Sequence, residues 1–313
     1  MVAVKEKRKV NPVVLRRRSQ ELAIKLVRTL FLLGLCYLFL FPIFYLLLAT
    51  FSDPLSLNNP NVVWIPLDWT LDNVGHAIAK LNFWPSAGLS MVHAVGGTLA
   101  SLISCSLVGY GLARYNFFEK GIVFMCVVLT IIVPPQTMLI TQYLQYKDFL
   151  GTGVSLLDTP WVLILPAFFG AGLRNGLFIF IFRQFFLGLP KDLEEAAWVD
   201  GCNPLKTFVS IILPSSGPGI VTVTLFSFVW HWNDYYYSAM LYTTKLKALI
   251  PMMQSIKGAL QTDISDGGTA GLALSSRGIL SAAGILTIIV PLVLYLFLQR
   301  HFVESIERTG IVG

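Results

Sequence analysis

The sequence predicts an all-α membrane protein that crosses the bilayer several times. Of its 313 residues, 55% are hydrophobic and 13% are charged, whereas a soluble domain carries about 25% charged residues. A helix needs about 20 apolar residues to span the hydrocarbon core. Six segments meet that length, near residues 28–50, 87–113, 121–144, 160–184, 218–242 and 278–299. Composition and run length therefore favour six transmembrane helices.

The distribution of basic residues predicts that both ends of the chain lie in the cytoplasm. Nine of the 23 Lys and Arg residues fall within the first 28 positions, and in this orientation 16 of the 23 face inward. Inward-facing segments of membrane proteins carry such an excess. A contact between the basic head and anionic lipid is an equally compatible interpretation. We expect a basic cytoplasmic head at 1–27, a six-span domain at 28–300 and a cytoplasmic tail at 301–313.

Several classes of function lack the residues that they need. The positive charge is concentrated beside an apolar run, so we expect no nucleic-acid partner. The four cysteines have no paired spacing, and the four histidines lie in different segments, so we expect no metal site. The phosphate-binding loop and the common hydrolase motifs are absent from the sequence. We therefore expect a non-catalytic chain that holds no cofactor of its own.

A polar loop, residues 185–217, separates the fourth and fifth apolar runs. Pro190 suits the first turn of a helix, and the acidic residues after it favour the positive end of the helix dipole. Gly201 can adopt the left-handed conformation that ends a helix. The loop therefore predicts a short helix over 191–200, whose two consecutive alanines allow close contact with a groove on another protein.

The same loop resembles the cytoplasmic-loop signature of ATP-binding-cassette importer permeases. The matching residues are Glu195, Ala196, Ala197, Gly201, Ile211, Leu213 and Pro214, without a gap. Three further motifs are similar to the maltose-type sugar permeases, namely 70–73, 183–186 and 232–234. The resemblance extends over roughly residues 25–313.

The resemblance implies a permease subunit that moves a saccharide, specifically an oligosaccharide, across the cytoplasmic (inner) membrane of a bacterium or archaeon. The implied partners are a second homologous permease, two ATPase subunits that bind ATP and Mg, an extracytoplasmic solute-binding protein and membrane lipid. The seven loop residues would couple the chain to an ATPase subunit. The alternative is an autonomous ion-coupled secondary transporter, which usually has inverted repeats. The sequence shows no repeat and few membrane carboxylates.

Two groups of residues within apolar runs are candidates for a substrate path. Arg174 interrupts the fourth run, and because a guanidinium at membrane depth costs at least ~2.5 kcal/mol, it needs a cavity or a partner. Three alternatives are open for Arg174: it pairs with an acidic saccharide, it pairs with Asp234, or it lies at the outer interface. The spacing of Trp230, Asn233 and Asp234 places them on one face of a helix, and Tyr235 follows. This cluster resembles a carbohydrate site, and an aromatic belt at the interface is the alternative.

Two further patterns concern helix packing. Small residues recur at four-residue spacing in the second run, at Gly97, Ser101, Cys105 and Gly109. Such a stripe predicts that this helix approaches its neighbours closely. The tandem Pro134-Pro135 predicts a break in the third run, because proline removes helical hydrogen bonds that neighbouring groups must then replace.

Cysteine labelling tests the predicted orientation. In a chain whose native cysteines are replaced by serine, Asp200→Cys should react with a membrane-impermeant maleimide only in inside-out vesicles. Thr244→Cys, on a predicted outer loop, is the matched control and should react in intact cells. Labelling of position 200 in intact cells would place the polar loop outside and overturn the orientation.

Overall fold

The computed structural model describes most of the chain. The backbone is described for residues 12–53, 56–58, 65–66, 68–244, 247–265 and 270–310. Side chains are described for the same residues except 12–19, 58, 260–265, 270–275 and 301–310. The predicted head at 1–27 therefore lies partly outside the described residues, as do the side chains of the predicted tail at 301–313.

The described residues are predominantly helical, which confirms the all-α prediction. The helices are α1 Pro12–Phe51, α2 Asp72–Lys80, α3 Phe83–Arg114, α4 Lys120–Ile132, α5 Leu139–Lys147, α6 Trp161–Phe168, α7 Asn175–Gly188, α8 Asp192–Val199, α9 Pro204–Thr207, α10 Leu213–Ser215, α11 Gly217–Trp232, α12 Tyr236–Leu241, α13 Leu249–Ser265 and α14 Ala270–Gly310. A π-helical turn, Phe208–Ile212, joins α9 to α10. Within the described ranges no strand occurs, and Ser52 and Trp69 form an isolated bridge.

Three helical segments are long and apolar enough to cross a bilayer, namely Gln20–Phe51 in α1, the whole of α3, and Ser276–Arg300 in α14. Two bent pairs of helical segments also have the required length and composition. One joins α4 to Pro135–Gly151 at 98°, and the other joins Pro204–Ser215 to α11 at 80°.

The predicted spans in the middle of the chain are interrupted. The tandem proline breaks the third span, as predicted, since α4 ends at Ile132 and the next helical turn begins at Pro135. The fourth span, predicted as one run over 160–184, is divided between α6 and α7. The fifth, predicted over 218–242, is divided between α11 and α12.

Helix α3 lies against α6, α7 and α11 through its small-residue stripe. A Cβ atom added at Gly97 would overlap the His231 ring of α11, and one added at Gly109 would lie 2.8 Å from the Cβ of Phe182 in α7. Between these glycines, Ser101 and Cys105 are fully buried. The predicted close approach of this helix to its neighbours is confirmed.

The end of α3 that leads into the polar loop is fixed by aromatic packing. The Tyr110 ring lies 4.9 Å from the Phe208 ring of the π-helical turn and 5.8 Å from the Phe186 ring of α7. Tilted and edge-on ring pairs at such distances are favourable beyond the apolar area that they bury. These contacts hold the polar loop against the ends of α3 and α7.

A pair of glycines on α3 tests the packing. Gly109→Ala should destabilise the folded chain by about 1–3 kcal/mol, because the new methyl group overpacks against α7. Gly111→Ala is the matched control, since its added Cβ would meet nothing within 4 Å, and alanine favours a helix over glycine by roughly 0.5–1 kcal/mol. Thermal unfolding of the purified protein in detergent measures both. Equal stability of the two variants would show that the stripe does not set the packing.

Candidate functional site

Helix α8 ends as the sequence predicts. Gly201 has φ +79°, its N–H donates to the Trp198 carbonyl at 3.0 Å, and the N–H of Cys202 donates to the Ala197 carbonyl at 2.9 Å. This pair of hydrogen bonds around a left-handed residue is the Schellman motif, which satisfies carbonyls that the helix end leaves free. The glycine therefore fixes the direction in which the chain leaves α8.

The two faces of α8 differ in exposure. Glu194 and Ala197 are buried against the bundle, whereas Glu195 and Ala196 are exposed. At the end of the helix, Val199 is 88% exposed. Its neighbour Trp198 and, earlier in the helix, Leu193 are also exposed. Several exposed apolar side chains on one short helix form a surface suited to contact with another protein.

Glu194 forms an ion pair that the sequence analysis missed. Its Oε1 lies 3.1 Å from Nε of Arg114 in the last turn of α3, and both side chains are 7% exposed. Arg114 also donates from Nη2 to the Leu189 carbonyl at 2.8 Å. From the sequence, Glu194 is one of the acidic residues that favour the positive end of the helix dipole. The i, i+3 spacing of Glu194 and Ala197 was the signal that they share the inward face.

The remaining predicted coupling residues lie in the segment after α8. Ile211 is half-buried in the π-helical turn, and the half-buried Leu213 and exposed Pro214 form the start of α10. Ile212, between them, is fully buried and was not singled out by the sequence motif. The motif residues thus lie on both sides of a turn that Ile212 and Phe208 anchor in the core.

The break in the fourth span lies between α6 and α7. The N–H groups of Gly170 and Ala171 donate to the carbonyls of Ala167 and Pro166, at 3.1 and 2.9 Å. Gly170 has φ +76°, so α6 ends in a second Schellman motif. Pro166, inside α6, has no N–H to donate to the carbonyl one turn earlier, but its own carbonyl accepts at the break. Arg174, with φ +60°, immediately precedes α7.

Asn175 holds this break against α3. Its side chain is 1% exposed. Its Oδ1 accepts a hydrogen bond from Ser101 Oγ at 2.8 Å, and its Nδ2 donates to the Ala167 carbonyl at 3.0 Å. Ser104 Oγ donates to the same carbonyl at 2.6 Å. The polar groups released by the broken helix are thus satisfied by side chains, as a membrane interior requires.

A cavity of about 290 Å³ lies where the breaks of the third and fourth spans meet. Its wall is formed by Leu129, Thr130, Val133, Pro134, Pro135, Met138, Gln142, Gly170, Ala171, Gly172, Leu173, Arg174, Asn175, Gly176 and Tyr237. Thr130, Gln142 and Tyr237 are polar wall residues that the sequence analysis did not select as site residues. Interrupted helices are tolerated at membrane depth where they line such a cavity.

Arg174 is the one predicted path residue in the described wall of this cavity. Its side chain is exposed, and its Cζ lies 5.7 Å from the centroid of the Trp230 ring, within the range of a cation–π contact. Trp230 is itself packed against Phe178 and Phe226, at ring distances of 5.7 and 5.6 Å. The guanidinium therefore lies against an aromatic cluster and faces the cavity.

The prediction that Trp230, Asn233 and Asp234 share one helix face is wrong, because α11 ends at Trp232. Asn233 is the C-cap residue of α11, and its Nδ2 donates to the Val229 carbonyl at 3.0 Å. Asp234 Oδ2 accepts hydrogen bonds from the backbone N–H and the hydroxyl of Ser238, at 2.7 and 2.8 Å. Asp234 therefore caps α12.

The expected internal pair between Arg174 and Asp234 is not among the ion pairs of the described residues: the guanidinium lies against Trp230, and the carboxylate accepts hydrogen bonds from Ser238. Tyr235 is 41% exposed, and its ring lies edge-on to that of Tyr236 at 5.4 Å. Neither Asp234 nor Tyr235 contributes to the described cavity wall.

Asp158 connects the loop before α6 to the segment that follows α12. Its carboxylate accepts hydrogen bonds from the backbone and hydroxyl groups of Thr243 and Thr244, at 2.7–3.0 Å. Burial raises the pKa of the Asp158 carboxyl, but these hydrogen bonds outweigh it and leave the pKa below its ordinary value. The carboxylate therefore stabilises this connection above the ordinary carboxyl pKa and loses its effect as the pH falls through the lowered value.

No group of three or more His, Cys, Asp or Glu side chains in the described part of the chain is arranged to hold a metal ion. The fold and the site define a helical membrane transport subunit. Residues 105–308 match the family described as "Binding-protein-dependent transport system inner membrane component". This match covers more than half of the chain, so the chain belongs to that family and is an ATP-binding-cassette importer permease.

Relatives match along most of their length. The polygalacturonan/rhamnogalacturonan transport system permease protein of Bacillus subtilis is 29% identical, over 90% of this chain and 96% of its own. The osmoprotective compounds uptake permease protein of Synechocystis is 32% identical, over 82% of this chain and 80% of its own. A bacterial ABC transporter involved in the import of the acidic polysaccharide alginate contains a similar chain, with TM-score 0.71 and 25% identity, covering 90% of this chain and 98% of that one.

Adjacent glutamates test the buried ion pair. Glu194→Ala should destabilise the chain by about 3–5 kcal/mol, because it leaves the Arg114 guanidinium buried without its counter-charge. Glu195→Ala is the matched control, since this side chain is exposed, and its effect should stay within about 0.5 kcal/mol. Thermal unfolding of the permease in detergent compares them. If the two variants unfold alike, the pair does not hold α8 to α3.

Proposed function

We propose that the chain is one of two permease subunits of an ATP-driven importer for a saccharide. The Bacillus subtilis relative named for polygalacturonan and rhamnogalacturonan transport supports the substrate class, and the family description supports delivery by a binding protein. In this proposal 1–27 and 301–313 are cytoplasmic and 28–300 form the membrane domain. ATP and Mg are bound by two ATPase partners, and the second permease is a different, homologous chain.

The observation that carries the proposal is the exposed surface of α8. Ala196 offers little bulk, so another protein can approach the helix closely, while Glu195 presents a carboxylate to the edge of such a groove. We assign this surface to an ATPase subunit. Gly201 and the turn that contains Ile211, Leu213 and Pro214 set the direction in which the chain continues into the membrane.

Helix α3 connects α8 to the membrane interior, so a movement of α8 can be transmitted along it. The Glu194–Arg114 pair joins the helix to the end of α3, and α3 holds the break of the fourth span through Asn175. A displacement of α8 caused by ATP binding would therefore move α3 against the cavity wall. The closely packed α3, anchored to α8 by the ion pair, can transmit such a shift because the protein interior has little free volume to absorb it.

The cavity is the proposed place of the saccharide. It is lined by polar groups from Thr130, Gln142 and Tyr237 and by the guanidinium of Arg174. Hydroxyl and amide groups exchange hydrogen bonds readily with a polyhydroxylated ligand. Of the predicted path residues, Trp230 supports Arg174, while Asn233, Asp234 and Tyr235 shape the adjoining break between α11 and α12.

Replacement of Gly201 tests the coupling role. A Cβ added there meets nothing within 4 Å, so Gly201→Val acts through its resistance to positive φ. It should lower sugar uptake and substrate-stimulated ATP hydrolysis by about tenfold or more, from a backbone strain of order 1–3 kcal/mol. Gly201→Asn should retain most activity, because asparagine tolerates this conformation.

Gly188→Val provides the matched control, because its added Cβ also meets nothing within 4 Å and its φ is not positive. Uptake and ATPase rates are measured in proteoliposomes that contain the complete transporter. Normal coupling in the Gly201→Val complex would contradict the assignment of α8 to the ATPase contact.

A further inference from the structure

We propose that Arg174 forms a subsite for the carboxylate of an acidic saccharide as it passes through the cavity. This inference rests on the proposed saccharide transport and specifies the chemical class of the sugar. The sequence left three possibilities for Arg174 open, namely a saccharide, Asp234 or a position at the outer interface, and the structure provides observations that distinguish them.

The first observation is the depth of the cavity. The break at 133–135 lies about halfway along the predicted third span, 121–144, and the break at 169–174 lies about halfway along the fourth, 160–184. Helices α4 and α7, of 13 and 14 residues, each extend about 20 Å from the side of the polar loop at 1.5 Å per residue, so both breaks lie inside a hydrocarbon core about 30 Å thick. The third possibility for Arg174, a position at the outer interface, is therefore disfavoured.

The second observation is the charge of the wall. Arg174 is a cation, and no Asp or Glu side chain contributes to the described lining. Asp234 does not line the cavity, and its carboxylate accepts hydrogen bonds from the backbone and hydroxyl of Ser238. A guanidinium stays charged at any physiological pH, so the cavity carries a positive charge that the described wall does not neutralise. Such a site favours an anionic ligand, particularly where the surroundings exclude water.

The third observation is the support of the guanidinium. The Trp230 ring lies 5.7 Å from Cζ, and this ring is held by Phe178 and Phe226. A cation–π contact consumes none of the five N–H donors of a guanidinium. Those N–H groups match the two oxygens of a carboxylate in a parallel pair of hydrogen bonds.

The backbone adds to this placement. Arg174 has φ +60°, a conformation that is uncommon for residues other than glycine. The neighbouring Asn175 fixes it by hydrogen bonds to α3 and α6. The backbone that carries the guanidinium is therefore fixed, so less conformational entropy is lost when a ligand binds.

The cavity size is consistent with one sugar unit at a time. Ligand pockets range upward from about 300 Å³, and this cavity measures about 290 Å³. The proposed subsite therefore contacts the carboxylate of successive units of a chain and does not enclose the whole oligosaccharide. Thr130, Gln142 and Tyr237 are placed to contact hydroxyl groups of the same unit.

The test compares uptake of trigalacturonate and of a neutral trisaccharide, maltotriose, by proteoliposomes with the complete transporter and its binding protein. Arg174→Gln should lower kcat/KM for trigalacturonate by about 10- to 100-fold, the range for a lost charge-assisted hydrogen-bond pair. Arg174→Lys should recover part of the rate, because it restores the charge without the paired geometry. Lys147→Gln, an exposed basic residue outside the wall, is the matched control for general attraction of anions.

The Arg174→Gln chain should still assemble with its partners, as co-purification of the subunits measures, and together with the partial rescue by Arg174→Lys this separates ligand contact from a merely structural role. Uptake of trigalacturonate by Arg174→Gln at the wild-type rate would overturn the subsite, and so would a wild-type transporter that carries maltotriose but not trigalacturonate. In that last case saccharide transport itself would stand. If an assembled wild-type complex that hydrolyses ATP moved neither sugar, the proposed function would fail together with the subsite.

Discussion

The close packing of α3 against α6, α7 and α11 is the interaction on which the rest of the structure depends. In a bilayer, helices gain little free energy when they bury apolar side chains against each other, because lipid is equally apolar. Small residues such as Gly97 and Gly109 let the backbones approach, so that many weak contacts add up. The same face presents Ser101 to Asn175. Without this approach the broken fourth span would lack the partners that satisfy its polar groups.

The breaks in the helices connect this packing to function. A cavity at membrane depth requires polar surface, and an interrupted helix supplies it from backbone and side chains together. Arg174 and Asn175 are neighbours with different tasks, since Asn175 is buried in the packing and Arg174 is exposed to the cavity. At the other end of α3, the Arg114–Glu194 pair fixes α8. One helix therefore contacts both the proposed substrate path and the proposed ATPase contact.

Local signals were predictable from the sequence, and long-range contacts were not. The left-handed Gly201, the break at Pro134 and the stripe on α3 each follow from the residue type and its spacing. The ion pair of Glu194 joins residues 80 positions apart, which no local pattern indicates. The prediction that Trp230 and Asp234 share a helix face failed because α11 ends at Trp232, where the sequence has no glycine or proline to indicate a helix end. The cavity requires two breaks to meet, and the sequence shows only one of them clearly.

The most direct test of the account is a disulfide cross-link from the exposed face of α8. Ala196→Cys is introduced into a chain whose native cysteines are replaced by serine, and single cysteines are placed around the surface of the ATPase partner. We expect oxidation to join position 196 to a cleft of the ATPase, with a yield that changes when ATP is bound, because α8 is proposed to move with the ATPase. Cross-links formed instead by Glu119→Cys, in the loop between α3 and α4, with none at position 196, would contradict the central claim.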